Sequence, residues 1–124
     1  MKLTKNFYLS EFNCKDGTAV PEELIKNAQL LACNLQVLRD ITNEPMTLNS
    51  AYRHPAYNHK IGGSSRSQHL LAKAGDIRAT SKFPAKVIYE LIEDLIKDGL
   101  MQEGGLGLYN NFVHYDVRKT KARW

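Results

Sequence analysis

Between Ser50 and Asp76 the chain reads SAYRHPAYNHKIGGSSRSQHLLAKAGD, and no other stretch limits the fold so tightly. It holds His54, His59 and His69, the pair Gly62-Gly63, and Ser64, Ser65 and Ser67, between two segments with the apolar spacing of ordinary core. A polar stretch of this kind buries little apolar surface, so packing alone gives no reason for it. Loops that carry binding or catalytic groups on a rigid scaffold have this character. With His114 as a later partner, the stretch reads as most of a metal site.

The flanks supply the scaffold. Ser10, before Glu11 and Phe12, is placed to cap a short helical turn, and Cys14 to Val20 reads as a loop around Asp16-Gly17. Pro21 suits the first turn of a helix, and Glu22 and Glu23 complement its dipole. Leu24, Ala28, Leu31, Leu35 and Leu38 share one face, so the spacing predicts a core-facing helix from Pro21 to about Ile41, ended by Asn43-Glu44-Pro45. Met46 to Ser50 alternates as a short strand. Ala74 to Ala79 reads as another, with Asp76 and Arg78 on one face and Ile77 on the other. Phe83-Pro84 opens a second long helix with a wide apolar stripe from Val87 to Ile96, stopped at Gly99. Leu106–Tyr109 and Phe112–Val117 form two strands around an Asn110-Asn111 turn. In the second of them Val113, Tyr115 and Val117 face one way, and His114, Asp116 and Arg118 the other. Helices interleaved with short strands, without the regular alternation of a parallel sheet, give an α+β class: a small antiparallel sheet flanked by helices.

Composition narrows the possibilities. With 124 residues and 43% hydrophobic content, residues 1–124 form one domain with enough material for a core. No apolar run approaches membrane-spanning length, and MKLTKNFYLSEF lacks the continuous apolar stretch of a signal peptide. The expectation is synthesis in the cytoplasm without membrane insertion. Cys14 and Cys33 make neither a zinc motif nor a disulfide framework and read as reduced, partly buried thiols. A net charge of +4, with four basic residues in the tail RKTKARW, favours anionic partners or simply a solvated basic surface. The interleaved aromatics and basic stripe of a nucleic-acid-binding surface are missing, so no nucleic-acid partner is expected.

Zinc catalysis needs three ligands of the His, Asp, Glu or Cys type and one open position. His69 and Asp76 flank LLAKAG, enough chain to leave a loop and enter a strand, and His114 on a later strand is placed to close the site. On spacing alone, a surface or hydrogen-bonded role for each residue remains an alternative.

SAYRHPAYN, GGSSRSQH, AKAGDI and FVHYDVR resemble the small zinc D-alanyl-D-alanine carboxypeptidases and murein peptidases. These share the hedgehog-type fold, and phage endolysins are among them. NFYLSEF, LQVLRDITNEPMTLNSAYR and the closing ARW extend the similarity over nearly the whole chain. The resemblance implies Zn2+ held by His69, Asp76 and His114, and Arg53 as the arginine that meets the developing oxyanion or holds the substrate. That role suits a guanidinium with donors in fixed directions. Several relatives place a catalytic acid three residues before the last zinc histidine, where this chain has Asn111. Asp116, on the strand face of His114, then becomes the general base or a carboxylate that orients a ligand imidazole, with Glu103 a more distant candidate. Tyr52, Asn58 and Gln68 match positions that shape the loop or line the cleft, as does Ser67. His54 and His59 are spare, either at the cleft mouth or solvated.

The implied activity is hydrolysis of peptidoglycan stem peptides by a zinc peptidase acting as a monomer. Carboxypeptidase and endopeptidase action both remain open. The protein would reach the cell wall by phage-type release, as a bacteriophage lysis enzyme does, or by an unknown export route. The alternative is a zinc-containing, non-catalytic binding module of the same fold.

Overall fold

The computed structural model describes residues 1–124. The stripe read from the sequence forms helix α1, Ile25–Thr42, which buries Ala28, Leu31, Ala32, Leu35 and Leu38. A 3-10 turn over Glu22–Leu24 precedes it, and Asn43 ends it in the left-handed region (φ 52°). Asparagine tolerates that conformation better than most residues. The first turn covers Leu9–Phe12 with Tyr8 as its cap, and Glu11 accepts the Tyr8 N–H, so Ser10 lies inside the turn rather than capping it.

Five strands make one sheet: β1 Leu48–Ser50, β2 Ala74–Arg78, β3 Gly105–Leu108, β4 Phe112–Asp116 and β5 Ala122–Arg123. Their order is β1-β2-β4-β3-β5. All pairs are antiparallel except β3 with β5, so the sheet is mixed where an antiparallel one was expected. The reason is the place already taken by β3. After β4 the chain turns back, finds β3 beside it, and pairs on the outer edge of β3, running in the same direction.

One sheet face carries Ile77, Leu106, Val113 and Tyr115, all buried in the core cluster with α1 and with helix α3, Ala85–Lys97. Leu31 and Leu35 of α1 lie against Gly75 of β2 on this face. Gly99 follows α3 at φ +77°, as its capping position predicts. No helix is long and apolar enough to cross a membrane.

Two elements lie inside the polar stretch. Helix α2, Pro55–Lys60, is capped by His54, whose Nδ1 accepts the Ala56 N–H at 3.2 Å. A 3-10 turn over Gln68–Leu71 is capped by Ser67 and closed by Ala72 in the left-handed region (φ 56°). Both thiols are free. Cys14 is buried, whereas Cys33 is exposed rather than partly buried.

Candidate metal centre

The site occupies the sheet face opposite the core. Antiparallel register places Ser50 against Asp76, Asp76 against His114, and His114 against Gly107, in one row across β1, β2, β4 and β3. Cross-strand neighbours on one face come within contact distance, so this register alone brings Asp76 beside His114. His69 reaches the pair from the 3-10 turn before β2. His69, Asp76 and His114 are all buried, and their ligand atoms lie within 4.8 Å of one another.

The hydrogen bonds fix which atoms face inward. His69 Nδ1 lies 2.6 Å from the carbonyl oxygen of Ala51. A carbonyl only accepts, so Nδ1 carries the proton and Nε2 keeps its lone pair, 3.3 Å from Asp76 Oδ1. His114 has the opposite arrangement. Its Nε2 donates to Asp116 Oδ2 at 2.7 Å, and its Nδ1 lies 3.2 Å from Asp76 Oδ1.

Three electron-rich atoms are thus aimed at one point, an arrangement that repels itself unless a cation or protons lie between them. Two ligands each about 2.0–2.1 Å from a tetrahedral metal ion stand about 3.3 Å apart, and the two imidazole nitrogens lie 3.3 Å and 3.2 Å from Asp76 Oδ1. The donor set therefore fits a metal ion. Burial disfavours a charged Asp76, but hydrogen bonds and charge from His114 and His69 outweigh it and hold the carboxyl far below its usual range. For His114, burial acts against the charged form, and Asp116 and Asp76 overcome it, so its affinity for a proton is raised.

Asp116 is wholly buried. Its Oδ1 accepts the backbone N–H groups of Gly105 (3.0 Å) and Arg118 (3.1 Å) and the Arg118 Nε–H (2.8 Å). Its Oδ2 accepts from Arg118 Nη2 (2.8 Å) as well as from His114. Burial opposes the ionised form, yet the bonds from His114 and Arg118 keep this carboxyl far below the usual range too. The space it fills exists because Gly105 lacks a side chain: a Cβ there would come within 2.2 Å of Asp116 Oδ2.

The row opens into a cleft of about 670 Å³, lined among others by Arg53, Arg66, Gln68, Tyr109, Arg118 and Trp124. Asp76 is the only acidic side chain in its lining. Arg53 stands at the β1 end, with Nη2 3.5 Å from Asp76 Oδ2, Nε donating to Ser50 Oγ and Nη1 to Asn58 Oδ1.

Not every expected residue reaches the cleft. Gln68 lines it, and Ser67 lines it while accepting the His69 N–H. Tyr52 does not: it is buried in the core cluster, because successive side chains of extended backbone point to opposite sides and Arg53 takes the cleft side. Asn58 is also buried, tied to Arg53 and, through Nδ2, to the Ser64 carbonyl. A Cβ at Gly63 would meet Asn58 Oδ1 at 2.1 Å, so the Gly-Gly pair lets the loop close over this amide. His54 and His59 are exposed and outside the cleft lining. Asn111 lies at the hairpin turn and lines a different depression with Asn49 and Arg78. Glu103 is bound to Arg123 and the Gly104 N–H, outside the cleft.

Tyr109, Arg118 and Trp124 are cleft residues that motif reading passed over. A signal for the glycines and Tyr109 exists: in Gly105-Leu106-Gly107-Leu108-Tyr109, small and apolar residues alternate with a period of two. That pattern leaves one strand face bare for neighbouring groups to occupy.

The domain is thus an α+β fold whose open sheet face carries a His-Asp-His group able to hold a metal ion. The chain matches the Peptidase M15 family over residues 5–116 and is a member of it, which places it with the zinc D-alanyl-D-alanine carboxypeptidase-like proteins. No curated protein matches the chain.

Proposed function

We propose that the protein is a zinc peptidase that hydrolyses peptidoglycan stem peptides within this one domain. The convergence of His69 Nε2, Asp76 Oδ1 and His114 Nδ1 within a polar cleft, in a chain of the M15 peptidase family, carries the reading. Zinc bound there supplies a polarised scissile carbonyl and a more acidic water. Arg53, beside Asp76 and facing the cleft, is placed to meet the oxygen that becomes negative in the tetrahedral intermediate. Ala51 and Asp116 hold the two imidazoles in the tautomers that leave the inward nitrogens free.

For Asp116 the geometry favours orienting His114 over acting as general base. Five N–H donors occupy both oxygens, no part of the residue meets solvent, and its depressed pKa makes it a poor proton acceptor. The wall would be reached by phage-type release or by export.

One observation favours a second reading, a zinc-containing binding module: no Asp or Glu other than Asp76 and no spare imidazole lines the cleft. Turnover decides between the two. Zinc-loaded protein digesting purified peptidoglycan should yield new fragments, and their masses identify the bond cut. Intact peptidoglycan after prolonged incubation would leave the binding module.

A further inference from the structure

On the β3 side of the site, opposite Arg53 in the strand order, an aromatic group makes up the other cleft wall. Trp124 is held there by its own backbone. Its N–H donates to the Leu106 carbonyl at 3.1 Å, and its carbonyl accepts the Leu108 N–H at 2.8 Å. The indole lies over Gly107, where a Cβ would come within 2.4 Å of Nε1. The ring centroid is 4.9 Å from that of His114, and the Arg118 guanidinium covers the ring at 5.4 Å. These contacts and one hydrogen bond orient the half-exposed side chain: its only polar atom, Nε1–H, donates to the Tyr109 hydroxyl at 2.8 Å.

Tyr109 is held on two sides. Its ring stacks on Phe112 with centroids 4.3 Å apart and planes 9° from parallel, and the indole fixes its oxygen. The ring begins two pairs further along the hairpin than the His114–Gly107 pair. The bond to Trp124 ties the hydroxyl back toward that row. Because the indole can only donate, the phenol oxygen accepts from it, and the phenol's own O–H is left free. The residue remains 41% exposed in the cleft lining, so nothing in the protein uses that proton.

We infer that Tyr109 is a catalytic residue. Its hydroxyl, positioned by Trp124, donates a hydrogen bond to the substrate oxygen that gains charge as the scissile carbonyl becomes tetrahedral. Arg53 meets the same charge from the Asp76 side. A neutral donor held in place before the reaction needs no reorganisation when charge develops, which is the source of its effect. Trp124 acts through Tyr109 as a positioning residue. This inference rests on the peptidase reading given above.

The test compares wild type, Tyr109→Phe, Trp124→Phe and the double variant. It measures kcat and KM on muropeptides, affinity for a phosphinate analogue of an alanyl-alanine dipeptide, zinc content and Tm. Tyr109→Phe should lose about 10²-fold in kcat, the low end for an oxyanion donor, with a parallel loss of phosphinate affinity and unchanged KM, zinc and Tm. Trp124→Phe should lose less, and the double variant should be no worse than Tyr109→Phe, since the indole acts only through the phenol. Wild-type kcat and phosphinate affinity in Tyr109→Phe would overturn the assignment, and so would loss of zinc or of Tm in that variant. Losses that multiply in the double variant would remove Trp124 as the positioning group. A wild type that binds the phosphinate but cleaves no muropeptide would sink the peptidase reading, while the phosphinate series would still decide the role of Tyr109.

Discussion

The two faces of the sheet are made by the same strands and follow opposite rules. On the core side, Ile77, Leu106, Val113 and Tyr115 are buried among the leucines and isoleucines of α1 and α3. The requirement there is shape and volume, and apolar residues of similar size would serve. On the other side, Asp76, His114, Asp116, Gly105 and Gly107 are each fixed by atom. One carboxylate faces two imidazoles, another has every oxygen bonded, and two glycines leave room for a carboxylate and an indole. The core face therefore sets stability and the open face sets chemistry, so changes on the two faces should separate in experiment.

The widest separation is expected at His114. His114→Ala removes a ligand atom from a group of three, and the remaining imidazole and carboxylate make a poor zinc site. Purified variant should carry little zinc and lose on the order of 10³-fold or more in activity, since a bound metal supplies several kcal/mol of charge stabilisation. His69→Ala should behave alike. Full zinc occupancy in both variants would break the assignment of this face.

Next in size is the converse. Leu106→Ala, adjacent in β3 to Gly105 and Gly107 but pointing the other way, should cost about 2–5 kcal/mol of stability through the lost burial and the cavity left behind. Zinc content and kcat, measured well below the lowered Tm, should stay near wild type. A variant that kept its Tm but lost zinc would mean that the faces are not independent.

How much of this was legible in the sequence follows the same division. The core face and the long helices were readable because apolar period is a local signal, and β4 was readable on both faces because His114, Asp116 and Arg118 alternate with Val113, Tyr115 and Val117. His69, Asp76 and His114 were singled out with help from family resemblance, and the strand register then brings Asp76 and His114 together. What escaped depends on cross-strand neighbours. Asp116 takes donors from His114, Arg118 and Gly105, and only register reveals that Gly105 lies opposite it. Helix α2 escaped because six residues carry no apolar stripe, and a His54 cap and the bonds of the buried Asn58 hold it instead. Tyr52 was misplaced because adjacency to Arg53 in a motif says nothing about side-chain direction in extended backbone.

Asp116 sharpens the comparison because it is as buried as any core residue yet belongs to the open face. Asp116→Asn keeps the volume and replaces one oxygen by an NH2. If that NH2 faces His114, it donates to Nε2 and drives the ring proton to Nδ1, the nitrogen that faces Asp76. In either position the NH2 also meets an Arg118 donor, because Arg118 bonds both oxygens, so two donors collide. Zinc affinity should fall by about 10–100-fold, with activity largely restored by added zinc, the pattern of a carboxylate that orients a ligand. A variant that keeps full zinc and loses 10²–10⁴-fold in kcat would mark Asp116 as the general base.

The smallest effect, and the finest probe, is expected at Gly107. A methyl group there would stand 2.4 Å from Trp124 Nε1, a distance no real contact allows, so the indole must move. The backbone of Trp124 is fixed by two bonds to β3, but its side chain is about half exposed and can swing outward. Gly107→Ala should therefore change stability by less than about 1 kcal/mol, within the range of substitutions away from the core, because no core-face contact is touched. Trp124 is the only tryptophan in the chain, so its emission reports the movement without interference. The emission should shift to the red as the ring leaves His114 and Arg118 for water, with Tm and zinc content near wild type and kcat lowered by the loss of the Tyr109 contact. Unchanged emission would mean that β3 yields instead of the indole. A large fall in Tm would tie this glycine to the core and blur the line between the two faces at that point.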